Sequence, residues 1–102
     1  LYSPAEQLLN EKVHIDWRAD QFSLGVLFSY CAFGFHPYAE PQDSALDIVT
    51  RVSRRGPTSA RFHDAVAAND LTTLLQMTAG WPVQRYRKPG MLIRAWSAQR
   101  GI

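Results

Sequence analysis

Residues 16–38 read DWRADQFSLGVLFSYCAFGFHPY, and this stretch decides the fold. Apolar side chains occur on every side of its helical projection, and a helix that is apolar all round is normally buried on all sides. Asp16 is a suitable N-cap and Gly34 a suitable terminating residue, so the sequence predicts one helix over about residues 16–34. In a chain of 102 residues, such a helix must be the hub of the core.

Two capping boxes predict helices on either side of this stretch. Ser3 and Glu6, with a proline between them, predict a short helix that ends near Leu9. The second box is the S-A-L-D that opens residues 44–53, and an R-R-G-P segment follows that helix and should stop it. Residues 59–68 are only weakly periodic and remain ambiguous between helix and loop.

The C-terminal third predicts two further helices. Asn69 is the expected N-cap of the first, which Gly80 and the following proline should end. Its shared face should consist of Leu71, Leu74, Leu75 and Thr78. The second should run from Pro89 to about Gln99. Its inward residues should be Leu92, Ile93 and Trp96. Because no segment alternates at period two, we expect an all-α chain, and its length favours one domain over residues 1–102.

Composition excludes several classes of protein. The chain is 46% apolar and 20% charged, which is not a disordered composition. Its single cysteine, Cys31, excludes an internal disulfide and favours a reducing compartment, so we expect a cytoplasmic protein. Residues 21–39 carry no charge, but they contain several polar side chains and break at Gly34 and Pro37. We therefore expect a buried helix there and no membrane span.

Four motifs occur in this chain in the same order as in one known protein family. They are Y-S-P-A-E-Q at residues 2–7, D-x-x-x-D-x-F-S-L-G at 16–25, G-x-x-P-Y at 34–38, and a late set formed by Leu74, Leu75, Met77, Pro82 and Arg85. Together they resemble the C-terminal half of the large lobe of eukaryotic-type Ser/Thr protein kinase domains. The chain departs from the family where P-A-E stands in place of A-P-E. The resemblance implies a partial domain built around the central helix.

The same resemblance implies roles for particular residues. Glu6 should form a buried ion pair with Arg85, although its capping role alone would also explain this glutamate. Asp20 should anchor the catalytic loop of the parent protein, or simply complement the dipole of its helix. The expected positions for docking of a protein substrate are Tyr2, Leu46 and Val49.

The parts of a kinase that transfer phosphate should all lie before this region. They are a glycine-rich loop, a strand lysine, a catalytic aspartate with its asparagine, and a magnesium-binding aspartate. None can be found here, so we expect no catalytic, cofactor-binding or metal-binding residue in this chain. ATP and magnesium are implied for the parent kinase only. The alternative is a non-catalytic helical interaction module that descends from a pseudokinase, which would have no enzymatic activity.

The expected partners can be inferred from the two apolar sides of the central helix and from the distribution of basic residues. One side of the helix carries Phe22, Val26, Ser29, Tyr30 and Phe33. The other side carries Leu24, Leu27, Phe28 and Cys31. The later helices can cover one side, so we expect the remainder of the domain or a second copy to cover the other. The arginines of residues 51–61 and the basic residues 85–88 should form a solvated surface. With a net charge of only +2, no nucleic-acid partner is expected, and a small basic nucleic-acid binder is kept as a third alternative.

Overall fold

The computed structural model describes residues 2–9 and 17–99, apart from the side chains of Glu6 and Gln7. Within this part the chain is helical and contains no strand, so the all-α prediction is confirmed. The α-helices are α1 (Ala5–Leu8), α2 (Trp17–Phe33), α3 (Ala45–Ser53), α4 (Ala60–Ala68), α5 (Thr73–Met77) and α6 (Pro89–Ala98). A 3-10 turn covers Pro82–Gln84. None of these helices is long and apolar enough to cross a membrane.

The central helix α2 forms where the sequence predicts it, and the expected N-cap Asp16 lies outside the described residues. Gly34 ends the helix with a φ of +83°, which glycine adopts without strain, and its N–H donates to the Tyr30 carbonyl at 3.0 Å. Within the described part of this chain, α2 is not buried on all sides. Leu24 and Leu27 remain 54% and 49% exposed, because the other helices pack against the opposite side of α2.

Local capping explains α3 and α4. The Ser44 side chain accepts from the Asp47 N–H, and the Asp47 carboxylate accepts from the Ser44 N–H, which confirms the capping box of α3. Residues 59–68, ambiguous in sequence, form a helix because the Ser59 side chain caps the Phe62 N–H at 3.3 Å.

The C-terminal predictions need three corrections. Asn69 is the C-cap of α4, and α5 begins at Thr73 with no side-chain cap. The Asn69 side chain donates backwards to the Ala65 carbonyl, and the left-handed residue that follows (φ +54°) redirects the chain. The helix ends at Met77, before Gly80. Ile93 is 64% exposed, because α6 contacts the core through its other side.

The core consists of two clusters, and α2 contributes to both. The first packs α1 and α3 against one side of α2, with these buried residues: Ala5, Phe22, Val26, Tyr38, Ala39, Ile48 and Val52. The second joins α4, α5 and α6, with these buried residues: Phe62, Val66, Leu71, Leu74 and Met77. Phe28 and Phe33 of α2 pack against this second cluster. Each large apolar side chain buried in this way contributes roughly 1.5–3 kcal/mol, so the clusters hold these helices together.

Candidate functional site

Three of the four motifs that carry the family resemblance meet where α2 crosses α5. Gly25 of α2 lies so close to α5 that a Cβ atom there would stand 2.8 Å from Thr78 Cγ2 and 3.1 Å from Met77 Cβ. On the other side of Thr78, the Tyr38 hydroxyl donates to its carbonyl oxygen at 2.5 Å. A glycine is required because a side chain would push the two helices apart.

Arg85 is the charged residue of this junction and is only 3% exposed. Its Nε donates to the Ala79 carbonyl at 2.8 Å, Nη1 to the Arg18 carbonyl at 3.2 Å, and Nη2 to the Gly80 carbonyl at 3.3 Å. Its guanidinium carbon lies 4.8 Å from the centroid of the Phe22 ring. Arg85 therefore joins the start of α2 to the loop after α5.

Gln21 provides a second link between α2 and the same C-terminal segment. Its Nε2 donates to the Tyr86 carbonyl and its Oε1 accepts from the Tyr86 N–H, both at 2.9 Å. The side chain is buried, and these two hydrogen bonds offset the free-energy cost of removing its amide group from water. Trp17 adds a third link, because its indole N–H donates to the Arg87 carbonyl at 2.8 Å.

The predicted ion pair and loop anchor stay predictions. The Glu6 side chain lies outside the described residues, so its pairing with the buried Arg85 is not tested. Asp20 lies in the first turn of α2 and is exposed to solvent. That position suits a residue that complements the helix dipole, and it also leaves the carboxylate accessible to another segment.

The three expected docking residues do not form one surface cavity. Tyr2 is 45% exposed and lines a shallow cavity with Leu24 and Leu27, and its ring lies edge-on to Tyr30 at 5.7 Å. Leu46 is 73% exposed and borders a different cavity beside arginines of α3. Val49, also on α3, is half-buried.

An exposed apolar strip runs between α2 and α6. It consists of Leu24, Leu27, Phe28, Leu92, Ile93 and Trp96. A cavity of about 250 Å³ opens in it, lined by apolar side chains except for Ser97. The Phe28 and Trp96 rings form its floor, edge to face at 4.9 Å. Cys31, one helical turn beyond Leu27, is also exposed. One of the two sides of α2 was expected to lack a cover, and the exposed side is the one that carries Leu24 and Leu27.

A further group of charged side chains lies at α3. Arg51 of α3 forms an ion pair with Asp43 and also donates to the Tyr38 carbonyl. The hydrogen bond from Arg51 lowers the pKa of the Asp43 carboxyl, and the Glu40 N–H adds to this effect. In the part of the chain that the structure describes, no group of histidine, cysteine and acidic side chains could hold a metal ion.

The structure also joins side chains that the sequence left apart. Arg55, at the end of α3, lies over the ring of Trp81, and both line an open cavity with Thr58 and His63. In sequence, Arg55 was only one of the arginines of residues 51–61, and no motif included His63. No local pattern could have found this group, because three separate segments contribute to it.

No protein-family model and no curated protein matches this sequence. The likeness to protein kinases therefore remains a resemblance of sequence motifs.

Proposed function

We propose that this chain is the C-terminal helical part of the large lobe of a Ser/Thr protein kinase or kinase-like protein. It supplies the structural base of the lobe and part of the platform on which a protein substrate docks. The whole protein transfers phosphate from ATP with magnesium, and this chain alone is inactive. Its own residues have no catalytic, cofactor-binding or metal-binding role.

The convergence of the motifs carries this proposal. Gly25 of the D-x-F-S-L-G segment, Tyr38 of the G-x-x-P-Y segment and Met77 and Arg85 of the late segment are far apart in sequence. They lie together at the crossing of α2 and α5. Chance matches to a family pattern have no reason to meet at one packing junction, so the contact between them supports a shared architecture.

The apolar strip supports the second part of the proposal, that another segment covers this chain. Soluble monomers seldom expose large contiguous apolar patches, and Leu24, Leu27 and Ile93 are each about half exposed or more. The remainder of the kinase lobe, or a second copy of the chain, would bury them. Asp20 lies on the same side of α2, one turn before Leu24, where it could receive a neighbouring loop.

The alternative is a non-catalytic helical interaction module, a pseudokinase remnant. One observation favours this alternative: Phe22 and Val26 of α2 are completely buried within this chain. In that case the apolar strip would be the binding surface of the module.

The residues encoded before Leu1 separate the two functions. Sequencing the transcript upstream should reveal an H-R-D type catalytic loop and a D-F-G type magnesium motif if the parent is a kinase. An upstream region that lacks both would favour the interaction module.

For the isolated chain, millimolar ATP with magnesium should give the same melting temperature as sodium chloride at equal ionic strength. A saturable shift would contradict the proposed division of roles.

Light scattering tests the cover of the apolar strip. We expect the 102-residue chain to self-associate, and Leu24→Lys with Leu27→Lys to make it monomeric. Leu46→Lys, which also removes an exposed leucine but lies outside the strip, is the matched control and should leave self-association unchanged. A monomeric wild-type chain that binds no apolar dye would show that these helices close their own core.

A further inference from the structure

An open cavity of about 420 Å³ lies away from the apolar strip and is distinct from the docking positions discussed above. The loop between α3 and α4, the start of α4 and the loop after α5 form its walls. Its polar lining includes Arg55, Thr58, His63, Gly80 and Trp81. Among the described residues that line it there is no carboxylate, and Arg55 brings a guanidinium group to the lining.

Arg55 is held in this wall by packing. Its guanidinium carbon lies 3.9 Å from the centroid of the Trp81 ring, which is a close cation–π contact. Its backbone adopts the left-handed region with a φ of +53°. Gly80 permits the approach of the two loops, because a Cβ at that position would stand 3.3 Å from Arg55 Cβ. The position of the cation is therefore set by the fold.

His63 and Thr58 lie in the same cavity and are joined to each other. Thr58 Oγ1 and His63 Nε2 are 2.6 Å apart, so the hydroxyl orients the imidazole ring. The residues that line the cavity thus include a guanidinium group, an imidazole and a hydroxyl.

We propose that this cavity binds a phosphate group, either as inorganic phosphate or as a small phosphate monoester. A guanidinium fork matches two oxygens of a tetrahedral oxyanion, and hydroxyl, imidazole and backbone N–H groups complete such sites. The half-exposed Trp81 indole offers a surface for the organic part of an ester. The site is independent of the proposed kinase function and uses none of the residues of that proposal's apolar strip.

The test is a titration of the ¹⁵N-labelled 102-residue chain at constant ionic strength, followed by NMR. Inorganic phosphate should cause saturable shifts of the Trp81 indole and of the Thr58 and Gly80 amides. Phenyl phosphate is the second probe: tighter binding of the ester identifies a monoester as the ligand, and equal binding identifies free phosphate.

Two arginine variants separate the site from general charge. Arg55→Gln should weaken phosphate binding at least tenfold. Arg54→Gln is the matched control, because it removes the same charge from the next residue, which is exposed and lines a different cavity. Its affinity should stay within twofold of the wild type. Equal losses in the two variants, or shifts that never saturate, would overturn the proposal.

Because Arg55 also packs on Trp81, its replacement could disturb the loop. His63→Gln avoids this problem, since His63 is exposed and lies on the surface of α4. It should weaken phosphate binding at least fivefold while the rest of the spectrum is unchanged. If His63→Gln binds phosphate as well as the wild type does, the cavity is not the binding site.

Discussion

Replacing Gly25 with alanine tests the contact on which the fold depends. In an exposed helix this change stabilises by about 0.5–1 kcal/mol, because glycine loses more backbone entropy on folding. Here the new Cβ would stand 2.8 Å from Thr78 Cγ2 and 3.1 Å from Met77 Cβ. Overpacking of this kind costs about 1–3 kcal/mol. We therefore expect a net loss of about 1 kcal/mol.

The neighbours of Gly25 cannot easily move away. Met77 Cβ is attached directly to the α5 backbone, and the Thr78 hydroxyl donates to the Leu74 carbonyl at 2.7 Å, which holds the side chain in its rotamer. Thr78→Ser removes the methyl group in conflict and keeps this hydroxyl. In the Gly25→Ala background it should therefore recover much of the lost stability, with a coupling of about 1 kcal/mol or more.

Urea and thermal unfolding provide the measurement, with Gly90→Ala as the control. Gly90 also lies in a helix, α6, but no atom lies within 4 Å of the point where its Cβ would stand, so alanine there should be neutral or stabilising. For a chain of this size, 1 kcal/mol corresponds to about 4–8 °C in melting temperature. If Gly25→Ala stabilises the chain as Gly90→Ala does, or if the Thr78→Ser cycle is additive, the close contact of α2 and α5 does not exist.

Two further predictions concern charged residues. Arg85→Met should lower the free energy of unfolding by about 3–5 kcal/mol, because buried carbonyl oxygens then lose their hydrogen-bond donor. Arg87→Met replaces an exposed side chain and should change the free energy of unfolding by no more than about 0.5 kcal/mol. Similar urea midpoints for the two variants would contradict the buried role of Arg85. The lowered pKa of Asp43 means that its pairing with Arg51 stabilises the fold above the unfolded pKa of about 4, and that this stability is lost as the pH falls through the folded value. Urea unfolding from pH 6 downward should therefore show a steeper loss of stability in the wild type than in Asp43→Asn, and identical slopes would show that the pair is absent in solution.

Much of the local structure could be predicted because short-range chemistry decides it. The Ser44 capping box and the Gly34 terminus involve residues within a few positions of each other, and both formed as expected. Asn69 shows the limit of such signals. The same side chain can cap the helix that follows it or donate to the helix before it, and only the packing of Leu71 and Leu74 into the second cluster selected the latter.

The candidate sites were less predictable, for a different physical reason. Tyr2 and Leu46 were grouped through the family resemblance, yet they border separate cavities. The cluster around Arg55 and Trp81 was missed because Trp81 is more than twenty residues from Arg55 in sequence. Contacts over such distances depend on how whole helices pack, and no spacing in the sequence encodes them.

The sequence by itself determined that the chain is helical and that α2 is its centre, because apolar periodicity, caps and glycine terminators act locally. Only the tertiary structure decided which side of α2 is buried. Because Gly25 has no side chain, α5 can pack closely against α2 at this residue. The buried side chains of Gln21 and Arg85 form hydrogen bonds with backbone atoms of distant segments. These long-range hydrogen bonds select one packing among several that the apolar pattern alone would allow. The same selection leaves Leu24 and Leu27 uncovered, and so creates the surface that another segment is proposed to cover.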